Sequence, residues 1–516
     1  MSDVFDRPGP ERLVAGGMWF LILMMMSGIF WWGNSIVLSR FYGPEGYGIF
    51  NIATSMHNFA WVIVFGGLFE GLMKYGSEYV TKRGWRLGSY FSTTINYLTT
   101  IGIVMFILLA VLALSLSDPI MRIITLTIAV SFLFSGTKDA LASIIGAFQQ
   151  SDYLSIINSS RAIVVFFVSV AFIMLGVPSY LLPILIVWAT VWQLGLCMYF
   201  LRDRLVKLLP LNIGALFGAD KNRTTQKLRR LDNFRQFVKI FIFGSFISLG
   251  LISFSVMKSL DIIVLKIFFD YADVGVYSIA DTASSILFYM TSFSWPIIPA
   301  IAEAYSTKNR ELLKDYVRIA VKYPVLIGMP LTIIVLTMAE PLIIGVYGTV
   351  FAEAVRPLQV LIIGTFMLMF GYNLASVLIG IGKSKISGAL MFVAALQYII
   401  SLFILVPLFG FMGAAFSLTL TGFTSMLLVP YYLRRELKIS IYRELWKVIF
   451  AAIVVVFILF SIPRPNTLFI IFEIVGGVGL FIILLYMLGY VTSEDLYMMK
   501  IASGTFKNII KPKRKK

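Results

Sequence analysis

The chain has 516 residues, of which 59% are apolar and 13% charged, with a mean hydropathy of +0.89. No soluble globular domain of this size needs so much apolar side chain, so the composition defines an integral membrane protein. The formal net charge of +17 does not point to nucleic acid, because the basic residues gather in particular loops, a topological pattern.

Apolar runs of about 20 residues, the length that crosses a bilayer, recur along the chain. They predict spans over 13–39, 48–72, 90–114, 119–142, 155–176 and 180–201, then 237–268, 274–301, 320–346, 356–381, 386–408, 412–433, 445–462 and 467–491. About fourteen helices follow, which excludes a single anchor or a cleaved leader as the source of the signal. Alternate loops are basic: Lys74, Lys82, Arg83 and Arg86; Arg202 to Arg235; Lys308, Arg310, Lys314 and Arg318; Lys383 and Lys385; Arg434, Arg435, Lys438 and Arg443; and the tail KPKRKK. Basic loops stay on the cytoplasmic side, so an even number of spans with both termini in the cytoplasm of a plasma-membrane protein is expected. The expected organisation is a six-helix lobe over 1–201, a basic linker over 202–236, a second lobe over 237–433, and two additional helices with a basic tail over 434–516.

The two lobes echo one another. The stretch from Asn34, NSIVLSRFYGPEGYGIFNIAT, aligns without a gap on DIIVLKIFFDYADVGVYSIAD from Asp261, placing Gly48 on Gly275 and Ile52-Ala53 on Ile279-Ala280. A second echo sets ASIIGAFQQSDY from Ala142 on ASVLIGIGKSKI from Ala375. Two lobes in the same membrane orientation, related by a pseudo-two-fold axis along the membrane normal, follow from these pairs.

Charged groups inside the spans are the candidates for function, because an ionisable side chain at that depth faces a cavity or a partner. Lys258 and Asp261 lie one turn apart, and Asp281 sits at the same depth on the next helix, where the first lobe has Asn34 and Thr54. His57 lies one turn below Thr54, Arg161 falls within the fifth span, and Asn373 and Gln397 within the tenth and eleventh. One cysteine, Cys197, and one histidine supply neither a disulfide nor a metal cluster. A phosphate-binding Gly-rich loop, a His-Glu-x-x-His helix and a Gly-x-Ser-x-Gly elbow are also lacking, so neither an enzyme nor a bound cofactor is expected.

The hairpin FYGPEGYGIFNIA from Phe41, its counterpart DYADVGVYSIADTAS from Asp270, PIIPAIAEAYS from Pro296, LIGIGKSKISG from Leu378 and VPLFGFMGAAFSLTL from Val406 resemble the polysaccharide and oligosaccharide flippases. These form a branch of the multidrug/oligosaccharidyl-lipid/polysaccharide exporter superfamily. The resemblance implies two six-helix lobes that rock about a central cavity. It also implies transport of a polyprenyl-(pyro)phosphate-linked oligosaccharide between leaflets, with membrane lipids and polysaccharide assembly proteins as partners. In such a cycle Lys258, Arg161 and Arg40 would attract the phosphate, and Asn34, Asn373 and Gln397 would contact sugars. Asp261 and Asp281, with His57, would brace the cation or carry a coupling ion. A multidrug and toxin extrusion antiporter and a lipid-linked peptidoglycan precursor flippase are the transporter alternatives. A membrane glycosyltransferase or polymerase is the rival from another class, and the sequence supplies no catalytic constellation for it.

Overall fold

The structure is a computed structural model and describes residues 9–82, 87–148, 150–208, 249–250, 252–291, 294–437, 445–462 and 467–491. Linker residues 209–236, the start of the seventh span over 237–248, and the basic tail lie outside these residues. Every regular element among the described residues is a helix, and nine are long and apolar enough to cross a membrane as single runs.

The first run, Gly9–Lys82, is two helices, α1 (9–42) and α2 (44–82), that meet at Gly43. Gly43 has φ 66° and ψ −170°, a left-handed conformation that a Cβ would oppose, and Pro44 opens α2 where no backbone N–H is needed. The chain folds back there, since the rings of Trp31 and Phe50 are 6.0 Å apart. An unbroken helix would separate residues so spaced by roughly 28 Å.

The first half continues with α3 (Leu87–Ser115), α4 (Pro119–Ala147), α5 (Ser151–Met174) and α6 (Ile184–Leu208). In the second half α7 (252–268) and α8 (Tyr271–Ser284) form the matching hairpin. They are followed by α9 (Ile286–Thr291), α10 (Ser294–Ser306), α11 (Arg310–Thr337), α12 (Ala339–Val346), α13 (Val355–Gly380), α14 (Ser384–Phe409) and α15 (Phe411–Leu437). Two further apolar helices, α16 (Leu445–Ser461) and α17 (Thr467–Met487), pack on each other and against α11. Counting the folded first run as two and α8 to α10 as one broken span, the described residues form about fourteen crossings.

Close helix packing rests on small residues, as it does where lipid offers no hydrophobic drive between helices. A Cβ at Gly136 of α4 would lie 2.1 Å from the Leu98 carbonyl oxygen of α3. In the second half a Cβ at Gly364 of α13 would lie 2.7 Å from the Thr419 Cα of α15. The Ala142/Ala375 echo also holds in three dimensions: α4 ends at Ala147 and α13 at its counterpart Gly380. Within these ends Ser143 donates to the Ala140 carbonyl at 2.8 Å, and its counterpart Ser376 donates to the Asn373 carbonyl at 2.6 Å.

Three boundaries differ from the sequence expectation. The ninth span was expected over 320–346, but α11 begins at Arg310 and a separate α12 ends the stretch. Asn309 caps α11 by accepting the Leu312 N–H at 3.2 Å, so Arg310, Lys314 and Arg318 ride on its first turns and not in a loop. Hydropathy marks what lies in lipid, whereas the cap marks where the helix starts. The eighth span, expected as 274–301, is interrupted at Ser285 between α8 and α9. The sixth helix runs to Leu208, into the expected linker.

Candidate functional site: charged groups within the helices

Lys258 of α7 reaches across the hairpin. Its Nζ donates to Asp281 Oδ1 and to Ser285 Oγ, each at 3.1 Å, with side chains 22% exposed for the lysine and 15% for the aspartate. Asp261, one turn along α7, is buried and takes different partners: the Tyr277 hydroxyl donates to Oδ2 at 2.7 Å and the Ile262 N–H to Oδ1 at 2.9 Å. The expected cluster of Lys258, Asp261 and Asp281 is therefore one ion pair beside one hydroxyl-bound carboxylate. Ser285, the second partner of Lys258, is the residue that interrupts the eighth span.

The first half holds a second group. His57 of α2 is buried, with Nδ1 3.0 Å from Ser131 Oγ of α4. Ser131 already donates its only proton to the Ile128 carbonyl at 2.7 Å, so His57 donates from Nδ1 and leaves Nε2 as its second ring atom. One turn further on α2, Trp61 Nε1 donates to Asp139 Oδ2 at 2.6 Å, and Lys138 Nζ lies 3.0 Å from Asp139 Oδ1. Arg161 of α5 and Lys138 are the cations whose fields reach His57. The sequence reading missed Trp61, Lys138 and Asp139. Adjacent Lys138 and Asp139 inside an apolar span carry the same signal that singled out Lys258 and Asp261.

Counted at about 1.5 Å per residue from the nearest turn at the Gly43 end, Lys258, Asp281, His57 and Arg161 all lie roughly 16–21 Å deep. Asp139 lies about 30 Å along α4 from the same end. The remaining candidates are more scattered. Asn34, the counterpart of Asp261, is buried and its Oδ1 has no hydrogen-bond partner. Asn373 is buried and donates to the Met369 carbonyl at 3.0 Å. Gln397 lies on a groove of about 470 Å³ beside α14, among Val393, Ile400, Ser401 and Leu420, away from the ion pairs. Neighbouring Tyr398 points the other way, into range of Asp261.

The halves are joined at the Gly43 end. Tyr47 Oη and Thr282 Oγ1 are 2.9 Å apart, so the residue beside Asp281 bonds the opposite half. Ser35 donates to the Trp32 carbonyl at 2.7 Å and accepts from the Tyr347 hydroxyl at 3.0 Å. Arg40 donates to the Val346 and Gly345 carbonyls at 2.8 and 2.6 Å. Asp118, which caps α4, accepts from the Tyr271 hydroxyl at 2.5 Å. Burial raises the Asp118 carboxyl, but the Tyr271 hydroxyl, the Ile120 and Met121 N–H groups and Lys266 outweigh it and hold the pKa below its ordinary value.

The architecture is an all-helical membrane bundle of two repeated six-helix halves, with ionisable groups gathered inside it. A family model described as "Polysaccharide biosynthesis protein" matches residues 13–305, and the MatE model matches 247–404. The chain belongs to the polysaccharide biosynthesis protein family. It is 24% identical over 213 residues to the "Capsular polysaccharide biosynthesis protein CapF" of Staphylococcus aureus, covering 40% of this chain and 53% of that one. It is 22% identical over 214 residues to the "Uncharacterized membrane protein MJ1068" of Methanocaldococcus jannaschii, covering 40% and 41%. The matched stretch thus spans about half or less of these curated relatives. The fold is similar to that of "Lipid II flippase MurJ, inward closed conformation", with a TM-score of 0.70, 15% identity and coverage of 90% of this chain and 98% of that one. An inward-facing multidrug resistance MATE transporter follows at 0.62, 13% identity and coverage of 82% and 98%. Likeness at such identities speaks for the fold.

Proposed function

We propose that the protein flips a polyprenyl-(pyro)phosphate-linked oligosaccharide from the cytoplasmic to the outer leaflet by alternating access, for the assembly of a cell-surface polysaccharide. In this reading the Gly43 end faces outward and both termini are cytoplasmic, as the basic loops suggest. The observation that carries it is the Lys258 ammonium, partly exposed on the hairpin that adjoins the inter-half seam. It lies at the depth shared with Arg161 and His57. A phosphate crossing about 30 Å of hydrocarbon needs a cation midway, while its polyprenyl tail stays in lipid.

Lys258 then exchanges Asp281 for the cargo phosphate, with Arg161 as the cation contributed by the first half. Asn34, whose carbonyl oxygen lacks a partner, and Asn373 suit sugar hydroxyls. Gln397, whose buried Oε1 likewise lacks a partner, is the third candidate for them and lies mostly among apolar side chains. Asp261 and Asp281, with His57 as a third candidate, brace the cation or take up a coupling ion. The lobes over 1–201 and 237–433 are the moving bodies.

The test is leaflet accessibility of a labelled lipid-linked oligosaccharide in proteoliposomes, comparing wild type with Lys258→Ala, Arg161→Ala and Asp261→Asn. Flipping that falls at least tenfold in Lys258→Ala supports the reading. Full activity of both cation variants would remove the phosphate role. No flipping by folded wild type, together with drug efflux, would move the assignment to an extrusion antiporter.

A further inference from the structure

We propose that Arg40 is a latch that holds the two halves together at the Gly43 end and is released when an anionic headgroup takes its guanidinium. The release step rests on the flippase reading, whereas the latch itself does not.

Helix α12 spans eight residues and ends at Val346. The last carbonyls of a helix lack intrahelical donors and carry its partial negative charge. Arg40, at the end of α1 in the other half, supplies donors to two successive ones: Nε to Val346 O at 2.8 Å and Nη2 to Gly345 O at 2.6 Å. The next residue, Tyr347, donates to Ser35 of α1 at 3.0 Å. Side chains five residues apart on α1 thus grip three consecutive residues across the seam.

Chemistry makes this grip reversible. The guanidinium is exposed, in contrast to the half-buried Lys258. Its present acceptors are neutral carbonyls, and a phosphate offers the same fork two charged oxygens, an interaction roughly twice as strong. Cargo that reaches this end therefore competes directly with the contact that keeps it shut. Lysine keeps the charge but lacks the rigid fork, so it cannot hold both carbonyls in the same geometry.

The experiment reads opening without requiring transport. In a Cys197→Ser background, Asn51→Cys places a reporter at a buried residue one turn below Tyr47, which itself bonds Thr282 across the seam. Its labelling by a membrane-impermeant maleimide is timed in proteoliposomes. Arg40→Ala should raise the rate at least fivefold, with Arg40→Lys between it and the parent, and Ser35→Ala should raise it less. Adding a polyprenyl pyrophosphate should raise the rate in the parent but not further in Arg40→Ala. Unchanged labelling in folded Arg40→Ala overturns the latch, and Arg40→Lys serves the same purpose where the alanine variant does not fold. A latch effect without any response to the lipid overturns the release step. A parent that labels as expected but flips no saccharide refutes the flippase reading and leaves the latch standing.

Discussion

Gly48 and Gly275 make one contact twice. A Cβ built on Gly48 would lie 1.9 Å from the Tyr271 carbonyl oxygen, and one built on Gly275 would lie 1.9 Å from the Pro44 carbonyl oxygen. Under the gapless repeat Gly48 corresponds to Gly275 and Pro44 to Tyr271, so each contact is the image of the other. A two-fold axis demands this reciprocity, in which a residue on one half meets the partner's equivalent surface. Substituting alanine at either position should therefore cost similar amounts, about 1–3 kcal/mol from forced separation of α2 and α8. Thermal unfolding in detergent checks it, and a large effect at one glycine alone would contradict the symmetry of the seam.

The Lys258–Asp281 pair separates structure from transport. Lys258→Met leaves Asp281 without its cation and should lower stability by about 1–3 kcal/mol, less than for a fully buried pair because both side chains retain some exposure. Adding Asp281→Leu should restore most of that loss while leaving flipping abolished. Recovery of both stability and flipping in the double variant would reduce the pair to a structural lock.

In the first half, Trp61→Phe removes the donor to Asp139 Oδ2 and keeps the ring. Loss of a hydrogen bond to a charged group costs about 1.5–3 kcal/mol. A thermal shift indistinguishable from zero would mean that Lys138 alone satisfies the carboxylate.

Acid should loosen the Gly43 end. The Asp118 carboxyl titrates below its ordinary value of 3.8 in the folded chain, so its contribution is present above that value and is lost as pH falls through the lower folded value. Wild type should therefore lose more thermal stability between about pH 6 and about pH 3 than Asp118→Asn, which has nothing there to titrate. Parallel curves for the two proteins would show that the Tyr271 bond does not depend on the charge.

Much of the bundle is legible in the sequence because lipid imposes a simple rule: about 20 apolar residues per crossing, with every backbone group bonded internally. The repeat is legible too, since Gly48, Gly275 and the ends of α4 and α13 keep their places in both halves. Helix ends are less so, as Asn309 shows: its cap starts α11 ten residues before the apolar run begins. The site is legible only in part. Lys258 and Asp281 could be matched by depth, but nothing in their spacing reveals Ser285 or Tyr277 as partners.

Sequence alone determined the membrane class, the number of crossings, the two-fold repeat and which spans carry charge, because hydropathy and periodicity are properties of each segment by itself. Tertiary structure decided that Asp261 takes a tyrosine and not the lysine one turn away, that Trp61 and Lys138 converge on Asp139, and that Arg40 reaches α12 more than 300 residues along the chain. Those choices depend on which side chains meet across helix seams, and that is fixed by the close approach of backbones at glycines such as Gly48 and Gly275.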